Sequence, residues 1–116
     1  MTKKSEIGAR GENEAVNFLL VNGYKVLQRN FRFARGEIDI IAQINKVLVF
    51  IEVKTRNQSN FGYPEDFVTE LQQERIHLVA EEYIRISDWE DDIRFDVIAI
   101  LINEGDRQLE HFEDAF

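Results

Sequence analysis

Two runs of residues, VLVFIEVK (47–54) and FDVIAILI (95–102), constrain this chain more than anything else in it. Successive side chains of a strand point to opposite faces, so a strand lying on a surface shows a polar residue at every second position. These runs are apolar on both sides for most of their length, and strands of that kind sit inside a sheet covered on both faces. Between them the sequence predicts one long helix, opened by Pro64 and running to about Ile86, with Phe67, Leu71, Ile76, Val79, Ala80 and Tyr83 turned inward. Strand, helix and strand in that order predict parallel neighbours joined by a right-handed crossover.

The remaining segments fit around this unit. Glu6 to Val21 reads as a helix, with Ala9, Ala15, Phe18, Leu19 and Ile7 near helical spacing and Asn22-Gly23 as its stop. Tyr24 to Phe33 alternates loosely, as a strand does. Glu37 to Ile44 (EIDIIAQI) is rich in β-branched residues and joins strand 47–54 through a tight hairpin at Asn45-Lys46. Gln108 to Phe112 reads as an edge strand. The expectation is a single α/β domain over residues 1–116, a mixed sheet flanked by helices in an αβββαβ order. A chain of 116 residues is long enough for one real core and too short for two.

Composition removes several kinds of chemistry. With no cysteine there is no disulfide, thiolate nucleophile or cysteine zinc site. The opening MTKKSEIGARGENEA is too polar for a signal peptide, and no apolar run reaches spanning length, so a cytoplasmic protein with no membrane association is expected. The net charge of −8 is unevenly spread: residues 1–58 carry ten Lys/Arg against six Asp/Glu, and residues 59–116 four against sixteen. The first half is therefore basic by 4 and the second acidic by 12.

The buried strand 47–54 ends in a carboxylate and an ammonium, Glu52 and Lys54, on the face shared with Leu48 and Phe50. Uncompensated burial of one such charge costs several kcal/mol, so something must meet them. Pairing about Asn45-Lys46 sets residues whose numbers sum to about 91 opposite each other, which brings Asp39, on the face of Glu37 and Ile41, across from Glu52. Opposed carboxylates repel unless a proton or a cation lies between them. Magnesium favours one or two carboxylates together with water and phosphate oxygens. A lysine one step along can orient or deprotonate the attacking water, the minimum equipment for metal-assisted phosphodiester hydrolysis. The same charges also suit a structural salt-bridge cluster at a sheet edge, and the charge pattern leaves both readings open.

An aspartate, a dozen residues and then Glu-x-Lys at the end of an apolar strand resembles the PD-(D/E)XK nuclease superfamily, which has the restriction-endonuclease-like fold and includes Holliday-junction resolvases. More closely, GARGENEA (8–15), NGYKVLQRNFR (22–32), GEIDIIA (36–42), LVFIEVKTR (48–56), FGYPEDFV (61–68) and RFDVIAI (94–100) together resemble the YraN-like family of small bacterial proteins. The resemblance implies magnesium- or manganese-dependent cleavage of DNA, with branched or junction DNA among the substrates. It implies catalytic roles for Asp39, Glu52 and Lys54, and a metal held by Asp39, Glu52 and Glu12. Glu14 lies about 200° round the helix from Glu12, so only one of the two can face the sheet. Phosphate contacts are expected from Arg29, Arg32, Arg35 and Arg56, which flank the site. The chain departs from its relatives at TELQQERI (69–76), where a basic helix start is replaced by Arg75 alone. With the acidic second half, that favours a structured substrate or a protein partner, a second copy included. It also keeps open a non-catalytic module that binds nucleic acid or protein on the same scaffold.

Other signals are weak. Gly8-x-x-Gly11 matches no nucleotide fingerprint. His77 and His111 read as surface or packing residues, Ser5, Ser59 and Ser87 lack a base, and Trp89 and Phe61 read as packing aromatics rather than base-stacking platforms.

Overall fold

The computed structural model describes residues 3–57 and 67–116. Helix α1 (Lys3–Val21) leads into three strands, β1 (Lys25–Phe33), β2 (Gly36–Ile44) and β3 (Val47–Arg56), followed by helix α2 (Glu70–Ser87) and strands β4 (Asp92–Asn103) and β5 (Asp106–Phe112). The five strands form one sheet in sequence order. Neighbours are antiparallel except β3 and β4, which run parallel across the α2 connection. The sheet is therefore mixed and flanked by helices, as the two-sided apolar strands require. On one face Ile41, Leu48, Phe50, Val97 and Ala99 pack under α2, which contributes Ile76, Val79 and Ala80. On the other, Ala42, Val49, Ile51, Ile98 and Ile100 pack under α1 through Ala15 and Leu19.

The hairpin register is the predicted one: Ile40 pairs with Ile51, Ala42 with Val49 and Ile44 with Val47. Asn45 takes a φ of 51° in the turn, a conformation asparagine tolerates well. Helix α2 starts later than predicted among the described residues, at Glu70. Thr69 caps it by accepting the Gln72 N–H while the Gln72 side chain accepts the Thr69 N–H. Pro64, the predicted opening, lies outside the described residues. Three inward assignments are corrected. Leu71 is 54% exposed, because five residues at 100° each set it about 140° away from Ile76. Ala9 and Ile7 are exposed as well, since α1 buries the row Gly11, Ala15 and Leu19.

Gly11 is a packing requirement. A Cβ there would overlap the Thr55 hydroxyl of β3, so only glycine lets α1 lie this close to the end of that strand. The contact fixes where the next residue, Glu12, emerges.

Candidate functional site

The β2–β3 ladder ends at Ile40 and Ile51, whereas β2 stays paired with β1 down to Gly36 and β3 stays paired with β4 out to Arg56. The two strands part at Asp39. Alternation along β2 slips there too: Ile38 joins the α2-side core with Ile41, and Ile40 joins the α1-side core. The predicted placing of Asp39 on one regular face with Glu37 and Ile41 is corrected accordingly. Asp39 opens to the cavity beside α1, and Glu37 to the one beside α2. With its ladder partner gone, the Val53 N–H donates to Asp39 Oδ2 at 2.8 Å.

The Glu52 and Asp39 carboxyls lie close enough to interact directly. Burial, and next the Glu52 charge, pushes the Asp39 carboxyl up to about 8, against the pull of the Val53 N–H. Burial raises Glu52 too, but the Lys54 ammonium opposes that. Lys54 Nζ lies 3.2 Å from Glu52 Oε1, with the side chains 14% and 12% exposed. Burial thus favours the protonated form of both carboxyls, and the Lys54 ammonium opposes it at Glu52.

Glu12 emerges from α1 near enough to raise Asp39 electrostatically. Its Oε1 faces Arg29 at 3.4 Å. The Asn30 amide, oriented to satisfy both acceptors, donates to Glu12 Oε1 at 3.2 Å and Glu37 Oε1 at 3.0 Å. Glu14 points elsewhere, to Arg107 and Arg10. Arg32 is spent on Glu37 at 2.9 Å, and Arg29 also donates to Asn13. Two cavities open at the parting of the strands. The larger, about 580 Å³, is lined by Glu12, Asp39, Lys54 and Arg56 among others. The smaller, about 190 Å³, is lined by Arg35, Gly36, Glu37, Glu52, Gln72 and Arg75.

The donor chemistry bears directly on a metal. Among the described residues no group of three or more Asp, Glu or His side chains is gathered to hold one. Asp39 and Glu52 form a partly buried oxygen pair short of counter-charge, which fits a divalent cation that completes its shell with water. Glu12 stands beside them, turned to Arg29 and Asn30. Sequence reasoning missed Asn30, Gln72 and Arg75. A signal for Asn30 was present: asparagine is a poor strand former that tolerates left-handed backbone, and here its φ is 53°.

A five-stranded mixed sheet in sequence order, flanked by α1 and α2, with an aspartate and Glu-x-Lys where two central strands part, is a restriction-endonuclease-like fold. Residues 11–100 match the family described as Uncharacterised protein family UPF0102, and the chain belongs to that family. It is 41% identical over 116 residues to a UPF0102 protein of Flavobacterium psychrophilum, covering 100% of this chain and 98% of the relative. It is 45% identical over 111 residues to one of Thermodesulfovibrio yellowstonii, covering 96% of each. A third, from Cytophaga hutchinsonii, is 46% identical over 93 residues, covering 80% of this chain and 82% of the relative. The resemblance to the YraN-like family is thereby borne out. Among the described residues no helix is long and apolar enough to cross a membrane.

Proposed function

We propose that this protein is a divalent-metal-dependent nuclease hydrolysing phosphodiester bonds of DNA, with branched or junction DNA as its preferred form, in the cytoplasm. The observation that carries this reading is the Asp39–Glu52 pair, uncompensated by any cation but Lys54, at the point where β2 and β3 part. Magnesium or manganese, when bound, supplies positive charge and Lewis acidity at the phosphate. The chain's own groups do the rest. Asp39 and Glu52 would hold the cation through their carboxylate oxygens, any proton on Asp39 passing to solvent water. Lys54 Nζ, 3.2 Å from Glu52, holds the attacking water and steadies the negative charge that develops on phosphate. Arg56, in the same cavity as Asp39, takes a neighbouring phosphate.

The test is cleavage of labelled linear, flapped and four-way DNA with magnesium or manganese. Wild type is expected to cut, and Glu52→Gln to lose cutting while keeping stability within about 1 kcal/mol, since it also removes a carboxylate repulsion. One observation favours the non-catalytic module instead: the Glu52–Lys54 and Glu12–Arg29 pairs already match two of the three carboxylates. Under that reading wild type cuts nothing, and magnesium does not raise its melting temperature.

A further inference from the structure

Six of the nine arginines are paired with carboxylates: Arg10, Arg29, Arg32, Arg85, Arg94 and Arg107. A seventh, Arg56, donates to the Thr55 carbonyl. Among the described residues Arg35 and Arg75 alone have no anionic or carbonyl partner, and both line the small cavity that Glu52 enters. The two carboxylates of that cavity are already matched, Glu37 by Arg32 at 2.9 Å and Glu52 by Lys54 at 3.2 Å. Two guanidinium charges are therefore left over, with the Gln72 amide beside them.

Their meeting is built into the backbone. Arg35 precedes Gly36 at the start of β2, and Arg75 lies on α2. A Cβ at Gly36 would stand 2.8 Å from the Arg75 carbonyl oxygen and 2.6 Å from Val79 Cγ2, so a glycine is needed for strand and helix to lie this close. The cavity, about 190 Å³, has room for one phosphate group and a few waters, at roughly 30 Å³ for each water, and not for a base pair.

We propose that Arg35 and Arg75 form a phosphate seat on the α2 side of Glu52, separate from the Arg56 side, and that Gln72 completes it. Forked guanidinium groups bind phosphate oxygens in pairs, which suits a tetrahedral anion held between two of them. Resting on the nuclease reading, the occupant is a backbone phosphate of the nucleic acid next to the one at Asp39 and Glu52. The strand then crosses the parting of β2 and β3 with one phosphate gripped on each side. This gives α2 a contact with substrate despite its acidic first turn.

The experiment uses the full chain. The Nε–Hε signals of Arg35 and Arg75 are followed by NMR during titration with inorganic phosphate, then with a short oligodeoxynucleotide. DNA affinity is measured against salt for wild type, Arg75→Lys and the double variant Arg35→Gln/Arg75→Gln. Neither arginine has a partner to strand among the described residues, so the variants should keep the wild-type melting temperature. Both signals should move with both ligands, and the double variant should lower the salt slope by about two phosphate contacts. Arg75→Lys, a point charge without the fork, should fall between. DNA binding with an unchanged salt slope in the double variant overturns the seat and leaves the nuclease reading standing. Signals that move with phosphate in a protein that binds no DNA keep the seat and overturn the nucleic-acid reading. Signals still under both titrations overturn the seat outright.

Discussion

Asp39, half-buried on β2, and Asp96, fully buried on β4, each accept a backbone N–H, from Val53 at 2.8 Å and from Asp114 at 3.0 Å. There the likeness ends. Asp96, 0% exposed, also takes both Arg94 bonds (2.9 and 2.8 Å) and His111 Nε2 at 2.7 Å, and Arg94 is steadied by the Tyr24 hydroxyl. Burial alone would raise its pKa, but the bonds from His111, Arg94 and the Asp114 N–H outweigh it and hold the carboxyl below the usual range. Asp39 faces another carboxylate instead of a cation, and burial with that neighbour lifts it to about 8. Burial is common to both, and the sign of the neighbouring charge decides the outcome. The satisfied cluster ties β4, β5 and the residues after β5 together. The unsatisfied one stores an electrostatic demand that a ligand can meet.

The largest expected effect breaks the satisfied cluster. Asp96→Ala strands the Asp114 N–H and takes from Arg94 its paired carboxylate, leaving it the Tyr24 hydroxyl and Glu113 at 3.8 Å, and loss of one partner from a buried pair costs about 3–5 kcal/mol. Urea unfolding measures it. A loss under about 1 kcal/mol would mean that the cluster contributes little and that the contrast with Asp39 is false.

The pH profile comes next, because the two aspartates slope in opposite directions. An acid whose pKa is raised on folding binds its proton more tightly in the native state. The stability Asp39 contributes is thus full below its ordinary value of 3.8 and lost as pH rises towards about 8. Asp96, held low, contributes stability above the ordinary carboxylate range and loses it as pH falls through its depressed value. Asp39→Asn should remove a decline of at most about 1.4 kcal/mol per pH unit between pH 4 and 8. Parallel profiles for wild type and Asp39→Asn would put the proton elsewhere.

The smallest effect sharpens the comparison further. Lys54→Met takes from Glu52 the one cation at salt-bridge distance among the described residues, at a cost of about 1–2 kcal/mol. Magnesium should restore that loss and bind more tightly than in wild type, because the ammonium no longer opposes it. It should do little for Asp96→Ala, whose surroundings already carry the Arg94 charge, which opposes a cation. Equal magnesium responses in the two variants, read from melting temperatures, would erase the distinction.

Much of the fold was legible because it rests on periodicity. The parallel β3–β4 pair, the hairpin register and the two-sided burial all follow from which residues are apolar and how many lie between them. Hairpin arithmetic brought Asp39 near Glu52, but the ladder ends one pair earlier, at Ile40 and Ile51, and the face that Asp39 takes was not legible. What escaped was set by departures from regularity. The β1 register shift between Val26 and Gln28 and the left-handed Asn30 move residues between faces in ways that alternation does not predict. The role of Asp96 was not legible, because beyond Arg94 on its own strand its partners His111 and the Asp114 N–H come from β5 and the residues after it. His111 and Trp89 do take packing roles: His111 lies edge-on against Phe18, and Trp89 packs beside the α2-side core. His77 does the same beside Phe95. Phe61 and Ser59 lie outside the described residues.

The Val53 N–H has a use beyond holding Asp39. Its acceptor weakens when Asp39 is protonated, strengthens when Asp39 ionises and is shared when a cation competes for the same oxygen. A single main-chain proton is thus wired to the charge of the pocket, in a strand that parallel pairing with β4 holds still. Its chemical shift and its exchange with solvent become an internal gauge, in which titration, metal loading and substrate arrival each write a different reading on one resonance.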